Sequence, residues 1–177
     1  MEYKSFLFKL DDVSEAGRFQ GYAATFGNVD LGNDVIEKGA FENSLKESLG
    51  GRIPILDHHD PARQIGWNVA AAEDDHGLRV EGQLDLNVQA ARERHSLMRL
   101  AAKLGGRTGL SIGFQTLRES PDPADFKIRR LKEVRLLEYS LVTFPMNPRA
   151  GVTAVKTETD PSLIESLHTL LITLRTR

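Results

Sequence analysis

Two adjacent histidines between aspartates form a dense polar cluster, Asp57-His58-His59-Asp60. They follow an apolar stretch at residues 53–56 that predicts a short strand. Successive side chains of an extended strand point to opposite faces, so at most one of the two histidines should face any given site. Such an imidazole could act as a general base or bind a metal ion, although an ordinary polar turn would have the same composition.

A serine flanked by glycines is the second candidate. In Gly-Leu-Ser-Ile-Gly-Phe at residues 109–114, Gly109, Ser111 and Gly113 share one face of a predicted strand. Small neighbours would leave the hydroxyl open to an acyl group, as a nucleophile requires. The letters match a Gly-x-Ser-x-Gly nucleophile elbow, but an elbow needs a helix after the serine, and here the strand pattern continues. A serine packed against another backbone would give the same pattern.

A single carboxylate lies within the mostly apolar segment at residues 136–145, Leu-Leu-Glu-Tyr-Ser-Leu-Val-Thr-Phe-Pro. In a strand, Glu138 shares a face with Ser140 and Val142. A buried carboxylate needs a partner, and an imidazole or an arginine would supply one. A glutamate on the exposed face of an amphipathic strand would need neither.

The remaining aspartates and histidines of interest have simpler interpretations. Asp30 and Asp34 lie in or beside a stretch rich in Gly and Asn, and their spacing does not match an EF-hand loop, so we interpret both as turn residues. His76, His95 and His168 are scattered along the chain, and we expect them to be solvated.

The composition excludes several functional classes. The 177 residues include 23 Lys and Arg against 25 Asp and Glu, giving a formal net charge of −2, whereas a dedicated nucleic-acid-binding protein should be markedly basic. The absence of Cys excludes disulfides, thiolate zinc sites, iron–sulfur clusters and a cysteine nucleophile. We expect no membrane span and no signal peptide, because no apolar run approaches 18 residues and no basic region leads into one.

Strand patterns dominate the first two thirds of the chain. Residues 78–86 alternate cleanly between apolar and polar, and with residues 65–72 and a turn at 74–77 they predict a hairpin. The other strands are predicted at residues 6–10, 18–26, 53–56, 108–117 and 126–144, the last as two strands or one bent strand. Loops are predicted at residues 27–33 and 119–125.

Three amphipathic helices are also predicted. The first covers residues 39–49 and ends at the glycines at 50–51. The second covers residues 88–104 with Asn87 as its N-cap, and its apolar stripe is Ala91, Leu97, Met98, Ala101 and Leu104. The third begins at Asp160-Pro161, and its apolar stripe is Leu163, Leu167, Leu170, Leu171 and Leu174.

These elements together predict a β-rich α+β protein, mostly an antiparallel β-barrel with peripheral helices. Strand signals recur without the regular helical crossovers that a parallel sheet needs. Residues 156–159 are polar and typical of a linker. The chain is therefore expected to form one domain at residues 1–155, followed at residues 156–177 by a linker and a C-terminal helix.

Several motifs in order resemble the prohead proteases of tailed phages, which are capsid-maturation serine peptidases distantly similar in fold to the herpesvirus assemblins. The motifs are Leu56-x-x-His59-Asp60, the serine segment at residues 109–114 and the segment at residues 137–148 that ends in Phe-Pro-Met-Asn-Pro. Shorter stretches at residues 21–26, 34–41 and 77–82 also resemble the family. The resemblance covers about residues 19–155, and Met146 departs from it, since the family more often has a small residue there.

The resemblance implies an assemblin-like barrel and a Ser–His catalytic pair without cofactor or metal. Ser111 matches the nucleophile and His59 the general base. Glu138 is assigned as the third member, where the assemblins have a second histidine. By analogy with the assemblin loop after the last core strand, the oxyanion donors are expected among the backbone amides of residues 145–151.

The same resemblance implies the biological role. The protease would act in the bacterial cytoplasm, inside the prohead, on the major capsid protein or a scaffolding protein and on itself, with no nucleic-acid or membrane partner and with a homo-oligomer allowed. Two other classes stay open at this point. One is a metal-dependent hydrolase that uses Asp57, His58, His59 and Asp60, and the other is a catalytically silent capsid or scaffold component.

Overall fold

The computed structural model of the chain describes residues 16–47 and 52–154. Its helices are α1 (Glu42–Glu47) and α2 (Gln89–Lys103). Its strands are β1 (Arg18–Thr25), β2 (Asp34–Ile36), β3 (Pro54–Asp57), β4 (Asp60–Glu73), β5 (Gly77–Leu84), β6 (Gly109–Pro121), β7 (Arg129–Val142) and β8 (Gly151–Ala154). The predicted strand at residues 6–10, the glycines at 50–51, the linker, His168 and the C-terminal helix lie outside the described residues, so the division at residue 155 stays a prediction.

Strand β7 organises the sheet. One edge of β7 pairs with β6 along its whole length in antiparallel orientation. The other edge pairs with β2 near its beginning and with β3 near its end, and both of these pairings are parallel. The sheet order is β2-β7-β3-β4-β5-β1-β8, with β6 beside β7. The predicted β-rich fold is thus confirmed, but the mostly antiparallel barrel is matched only in part, because β2 and β3 make the sheet mixed.

The sheet curls until its far end approaches β6. The backbone N–H of Val152 in β8 donates to the carbonyl of Thr108, directly before β6, at 2.9 Å. Gly21 permits this approach, because a Cβ there would lie 2.4 Å from the carbonyl oxygen of Gly151 and 2.9 Å from Leu110 Cδ1. The curled sheet therefore encloses a single apolar core.

That core is the main source of stability. Fully burying one large apolar side chain contributes about 1.5–3 kcal/mol. The largest wholly buried side chains come from most of the strands and from the segment before α1: Tyr139, Phe19, Phe41, Ile55, Ile65, Leu78, Leu84, Leu110, Leu131 and Leu141. Along β5 the buried Leu78, Val80 and Leu84 follow the predicted period of two. The antiparallel hairpin of β4 and β5 is confirmed.

Helix α2 exists where it was predicted, but its cap and its buried face differ. Val88 is the N-cap and makes no side-chain capping hydrogen bond, while the Asn87 side chain donates to Asp85 Oδ1 at 3.1 Å. The buried residues are Ala91, His95 and Met98, whereas Leu97 and Leu104 of the predicted stripe are exposed. The expectation that His95 is solvated was therefore wrong, because tertiary packing, rather than the positions of the leucines, selects the face that lies on the sheet.

Long-range pairing also changes the strand boundaries. The predicted loop at residues 119–125 begins later, because Glu119, Ser120 and Pro121 still pair with β7. The segment predicted as two strands or one bent strand is one strand, β7. Strands β2 and β8 were missed, since three or four residues are too few for a periodic pattern, and their partners lie far along the chain.

Candidate active site

The two adjacent histidines occupy a tight turn between β3 and β4, not an extended strand. His58 and His59 have φ values of 54° and 59°, and Asp57 pairs with Asp60 across them. Two-residue hairpin turns with both central residues at positive φ usually contain Asn or Gly, because larger side chains are strained there. The two side chains still face different partners, but the turn, rather than strand alternation, separates them.

His59 is held against a carboxylate. Its Nδ1 lies 2.6 Å from Glu138 Oε1 of β7, and the glutamate side chain is 11% exposed while the imidazole is 41% exposed. The Ser140 hydroxyl donates to Glu138 Oε2 at 2.6 Å and accepts the His59 backbone N–H at 3.0 Å. Since an ionised carboxylate only accepts, Nδ1 carries the proton that it donates, and Nε2 of the neutral ring is left free to accept another.

Ser111 lies in β6 directly opposite Ser140 of β7, and its residue surface is 8% exposed. It lines the same cavity as His59 and Glu138, with a volume of about 670 Å³. The structure contains no hydrogen bond between Ser111 and His59, both of which are described. Catalytic hydrogen bonds are often long before substrate binds. The three predicted residues are thus brought to one cavity, two of them in direct contact.

The glycines around Ser111 have a different function from the expected one. A Cβ on Gly113 would lie 2.1 Å from Glu138 Oε1, and a Cβ on Gly109 would lie 2.8 Å from Pro145 Cδ and from the Val142 carbonyl oxygen. The expectation that both leave open space for an acyl group was therefore wrong. Gly113 makes room for the carboxylate that contacts His59, and Gly109 lets the segment after β7 pack against β6.

The far side of the cavity carries a fixed ion pair. Arg129 of β7 donates to both carboxylate oxygens of Asp34 in β2, at 2.8 and 2.7 Å, and this contact raises the pKa of Arg129. Asp34 was interpreted as a turn residue, which was wrong, because the chain already pairs with β7 at this point. Asp30 is a turn residue as predicted: its Oδ1 accepts the N–H groups of Gly32 at 2.8 Å and Asp34 at 2.9 Å. Burial raises the pKa of Asp30.

Residues 143–150, the loop after β7, form another wall. Met146 and Asn147 line the cavity, and the Met146 carbonyl accepts the Leu31 N–H at 3.0 Å. The buried Asn147 side chain donates to Thr25 Oγ1 at 2.9 Å and accepts the Arg149 N–H at 3.0 Å. Sequence reasoning missed Asn147 as an anchor, and its only local signal is its place in a proline-rich turn.

The acidic neighbours of the two histidines do not converge on a cation. Asp57 is 1% exposed and its Oδ1 lies 2.7 Å from Arg94 Nε. Its Oδ2 lies 2.8 Å from a terminal nitrogen of the Arg63 guanidinium, but the angle of this contact does not permit a hydrogen bond. The contact is therefore an ion pair without a hydrogen bond. Asp60 Oδ1 accepts the Ala62 N–H at 2.9 Å. Within residues 16–47 and 52–154, no three His, Asp or Glu side chains are grouped as metal ligands.

Comparison with known sequences places this site in a family. A sequence model of the caudovirus prohead serine proteases matches residues 5–163. The chain belongs to this family. The prohead protease of Enterobacteria phage HK97 is 33% identical over 153 residues, which cover 84% of the chain and 64% of the HK97 protein. The chain therefore spans less than two thirds of the length of this prohead protease.

One of two similar solved structures gives the fold a second line of support. The capsid assembly protease gp21 of bacteriophage T4 is similar with a TM-score of 0.51 at 11% identity, covering 75% of this chain and 90% of gp21. KSHV protease in complex with a hexapeptide phosphonate inhibitor has a TM-score of 0.48 at 15% identity, covering 76% of this chain and 63% of that one. The likeness to gp21 supports only the fold of this prohead protease family member and says nothing about its activity. In the described part of the chain, neither helix has the length and apolar character needed to span a bilayer.

Proposed function

We propose that the chain is a serine endopeptidase of prohead maturation in which Ser111 is the nucleophile, His59 the general base and Glu138 the residue that orients the base. The observation that carries this proposal is the 2.6 Å contact between His59 Nδ1 and Glu138 Oε1 at the cavity that Ser111 also lines. A serine hydroxyl is a weak nucleophile unless a base is beside it. The family membership of the chain supports this choice over other uses of the same residues.

The chemistry follows from the orientation of His59. With Nδ1–H donated to Glu138, Nε2 accepts the Ser111 proton as Oγ bonds to the peptide carbonyl carbon. The same proton then passes from Nε2 to the leaving amine as the C–N bond breaks, which leaves an acyl-enzyme. Water attacks this ester by the same route and regenerates Ser111. Glu138 stabilises the imidazolium in both steps without itself taking the proton.

The tetrahedral oxyanion needs donors that are fixed before reaction. We place them among the backbone N–H groups of residues 145–151, excluding the two prolines, which have no N–H, and Arg149 and Ala150, whose N–H groups already donate to Asn147. The support is positional: Met146 and Asn147 line the cavity, and the hydrogen bonds of Asn147 and of the Met146 carbonyl hold the loop. Preorganised amides of this kind cost no reorganisation when charge develops.

The family indicates the substrates. We propose that the chain cleaves the major capsid protein or a scaffolding protein, and itself, within the prohead in the cytoplasm of the host cell. The assemblin-like barrel expected from the sequence belongs to the same proposal. It is supported by the curled sheet, whose β8 end approaches β6. Homo-oligomer formation stays a prediction.

A fluorophosphonate probe tests the chemistry without knowledge of the substrate. Ser111 Oγ would bond to phosphorus, fluoride would leave and His59 would take the proton, so intact mass and peptide mapping should show one adduct on Ser111. Ser111→Ala should not be labelled. Ser120→Ala, on the same strand but outside the cavity, should be labelled at the wild-type rate.

Co-expression with the major capsid protein from the same genome then tests the substrate. Wild type should cleave it and Ser111→Ala should not, as read by intact mass. A wild-type chain that is neither labelled nor proteolytic would instead indicate a silent capsid or scaffold component. Cleavage that persists in Ser111→Ala would contradict the nucleophile assignment.

A further inference from the structure

His58, the neighbour of the proposed base, makes specific contacts of its own. Its Nδ1 lies 2.7 Å from Asp57 Oδ1, and its Nε2 lies 3.2 Å from both the backbone nitrogen and the hydroxyl of Thr143. Its backbone N–H donates to the carbonyl of Leu141 at 3.2 Å. The side chain therefore bridges the β3–β4 turn and the end of β7.

The contacts indicate the tautomer of the His58 ring. A nitrogen 2.7 Å from a carboxylate oxygen must carry a proton, so Nδ1 donates to Asp57. The backbone N–H of Thr143 can only donate, so Nε2 accepts it as an unprotonated nitrogen. Arg94 NH2 lies 3.0 Å from Nδ1, but a protonated Nδ1 offers it no lone pair to accept a hydrogen bond. The Arg94 guanidinium pairs instead with Asp57 Oδ1 through Nε.

Thr143 is the point from which the cavity wall starts. It is the first residue after β7 and the first of the 143–150 loop, which brings Met146 and Asn147 to the cavity. His59, next to His58, forms another part of the same cavity. The His58 ring is therefore a direct link between the turn that carries the proposed base and the loop that we propose to carry the oxyanion donors.

The Asp57 carboxylate that holds the His58 ring is itself fixed. Asp57 is almost wholly buried and is paired with Arg94, so α2 as well as β3 holds the carboxylate that orients the His58 ring. His58 itself sits at φ 54°, a conformation that Asn or Gly adopts at lower cost. Turns of this kind most often contain Asn, Asp or Gly, so the turn alone does not require a histidine here.

We propose that His58 is a positioning residue that fixes the 143–150 loop relative to His59 by accepting the Thr143 backbone N–H at Nε2. This role rests on the proposed protease function and deepens it. Reacting groups displaced by about 1 Å can lose about 100-fold in rate, so a loosened loop should slow the reaction while the fold persists.

Two substitutions separate positioning from turn formation. In His58→Gln, the amide oxygen reaches the place of Nε2 and can accept the Thr143 N–H, but the residue remains strained at positive φ. In His58→Asn, the amide nitrogen replaces Nδ1 beside Asp57 and the turn is less strained, but nothing reaches Thr143. We therefore expect Asn to melt at or above the temperature of Gln, yet to be labelled more slowly.

The measurement is the second-order rate constant for fluorophosphonate labelling of Ser111 in the full chain, with thermal unfolding of each variant. We expect the labelling rate of His58→Asn to fall about tenfold or more, because a loop displaced by a fraction of 1 Å loses part of the roughly 100-fold that a 1 Å displacement costs. The labelling rate of His58→Gln should stay within about threefold of wild type. Thr143→Val, which removes the hydroxyl and keeps the N–H, should label within about twofold.

The outcomes distinguish this proposal from the one on which it rests. If labelling follows the melting temperature, with Asn at least as fast as Gln, His58 is only a turn residue and the positioning role is wrong. If Thr143→Val loses as much as His58→Asn, the contact that matters is the Thr143 hydroxyl, and the proposal that His58 acts by accepting the Thr143 backbone N–H is wrong. If wild type is not labelled on Ser111, the proposed function fails, and this inference fails with it.

Discussion

Strand β7 carries an acid–base contact near each end, and the two contacts are built in the same way. At the beginning of β7, Arg129 pairs with Asp34 of β2, and near its end Glu138 contacts His59 directly after β3. Both β2 and β3 are short strands that run parallel to β7 and deliver the partner to it. The backbone architecture therefore does not distinguish the structural pair from the one that we propose to be reactive.

The difference lies in the cation. Arginine stays protonated at any pH at which proteins are folded, so the positive charge of the Arg129–Asp34 ion pair is always present. Histidine is the residue type that most often transfers protons in enzymes, and this is why we propose the His59–Glu138 pair, and not the Arg129–Asp34 pair, for proton transfer. A histidine as the partner, together with the proposed nucleophile Ser111 at the same cavity, is what leads us to propose this end of β7 as the reactive one.

The largest expected effect comes from neutralising the carboxylate at that end. Glu138→Gln removes the charge that orients His59 and stabilises its protonated form, and in a comparable triad this loss costs about 10⁴-fold in kcat. We expect a smaller but severe effect, about 100-fold or more in fluorophosphonate labelling.

Glu133→Gln is the matched control, on the same strand but paired with Arg118 outside the cavity. It should be labelled at the wild-type rate. If Glu138→Gln is labelled within a few-fold of wild type, the proposed site is a Ser–His dyad. The His59–Glu138 contact would then have no role in the reaction, and the proposed difference between the two ends of β7 would be wrong.

A second variant disturbs the same carboxylate sterically. In Gly113→Ala the new methyl group would lie 2.1 Å from Glu138 Oε1, so the carboxylate must move away from its position beside His59. We expect labelling to fall about tenfold or more, because misplaced groups lose rate steeply. In Gly32→Ala, also at the cavity, the nearest atom would be Asp30 Oδ1 at 3.3 Å, and labelling should be nearly unchanged. Equal labelling of the two variants would show that Glu138 tolerates displacement.

The sequence predicted the elements that depend on local patterns. The β4–β5 hairpin follows from alternation and turn residues, and the position of α2 follows from its periodicity. The selection of Ser111, His59 and Glu138 rested on short motifs, and these residues do lie at one cavity. Their catalytic roles remain predictions.

What the sequence could not predict depends on pairing between distant segments. The parallel strands β2 and β3 reach β7 from about 95 and 84 residues away along the chain, and no local pattern records this. The same holds for Ser140, whose bond to the His59 backbone exists only once β3 and β7 are paired. Gly113 was noticed, but its reason, the Glu138 carboxylate, required the register of β6 on β7.

The permanent pair at the other end of β7 should affect stability rather than chemistry. Arg129→Met leaves the largely buried Asp34 carboxylate without its cation, and we expect a loss of about 2 kcal/mol in the free energy of unfolding, measured by urea denaturation. Arg118→Met is the control, because that side chain is 67% exposed and lies 3.7 Å from Glu133, and exposed pairs contribute little. An equal loss in both variants would mean that the Asp34 pair is no more than a surface contact.

The smallest effect is expected at Asp30, which lines the same cavity and interacts with Arg129 only at a distance, without a direct ion pair among the described residues. Burial raises the pKa of Asp30, so the folded protein binds this proton more readily than the unfolded chain does. The ionised carboxylate therefore costs stability at neutral pH, and the cost disappears as the pH falls below the ordinary aspartate pKa of about 3.9. In Asp30→Asn the amide oxygen can still accept the N–H groups of Gly32 and Asp34, and the charge is gone.

Asp30→Asn should thus unfold at a slightly higher free energy than wild type at pH 7, by less than about 1 kcal/mol because the half-buried group is screened by solvent. The difference should shrink toward zero in acid, as followed by urea denaturation across the pH range. Asp125→Asn controls for the loss of one negative charge, since this exposed carboxylate accepts the Lys127 N–H in a similar turn. If Asp30→Asn instead loses stability at pH 7, the charge itself is favourable at Asp30, because the N–H groups of Gly32 and Asp34 and the nearby Arg129 then outweigh the cost of burial.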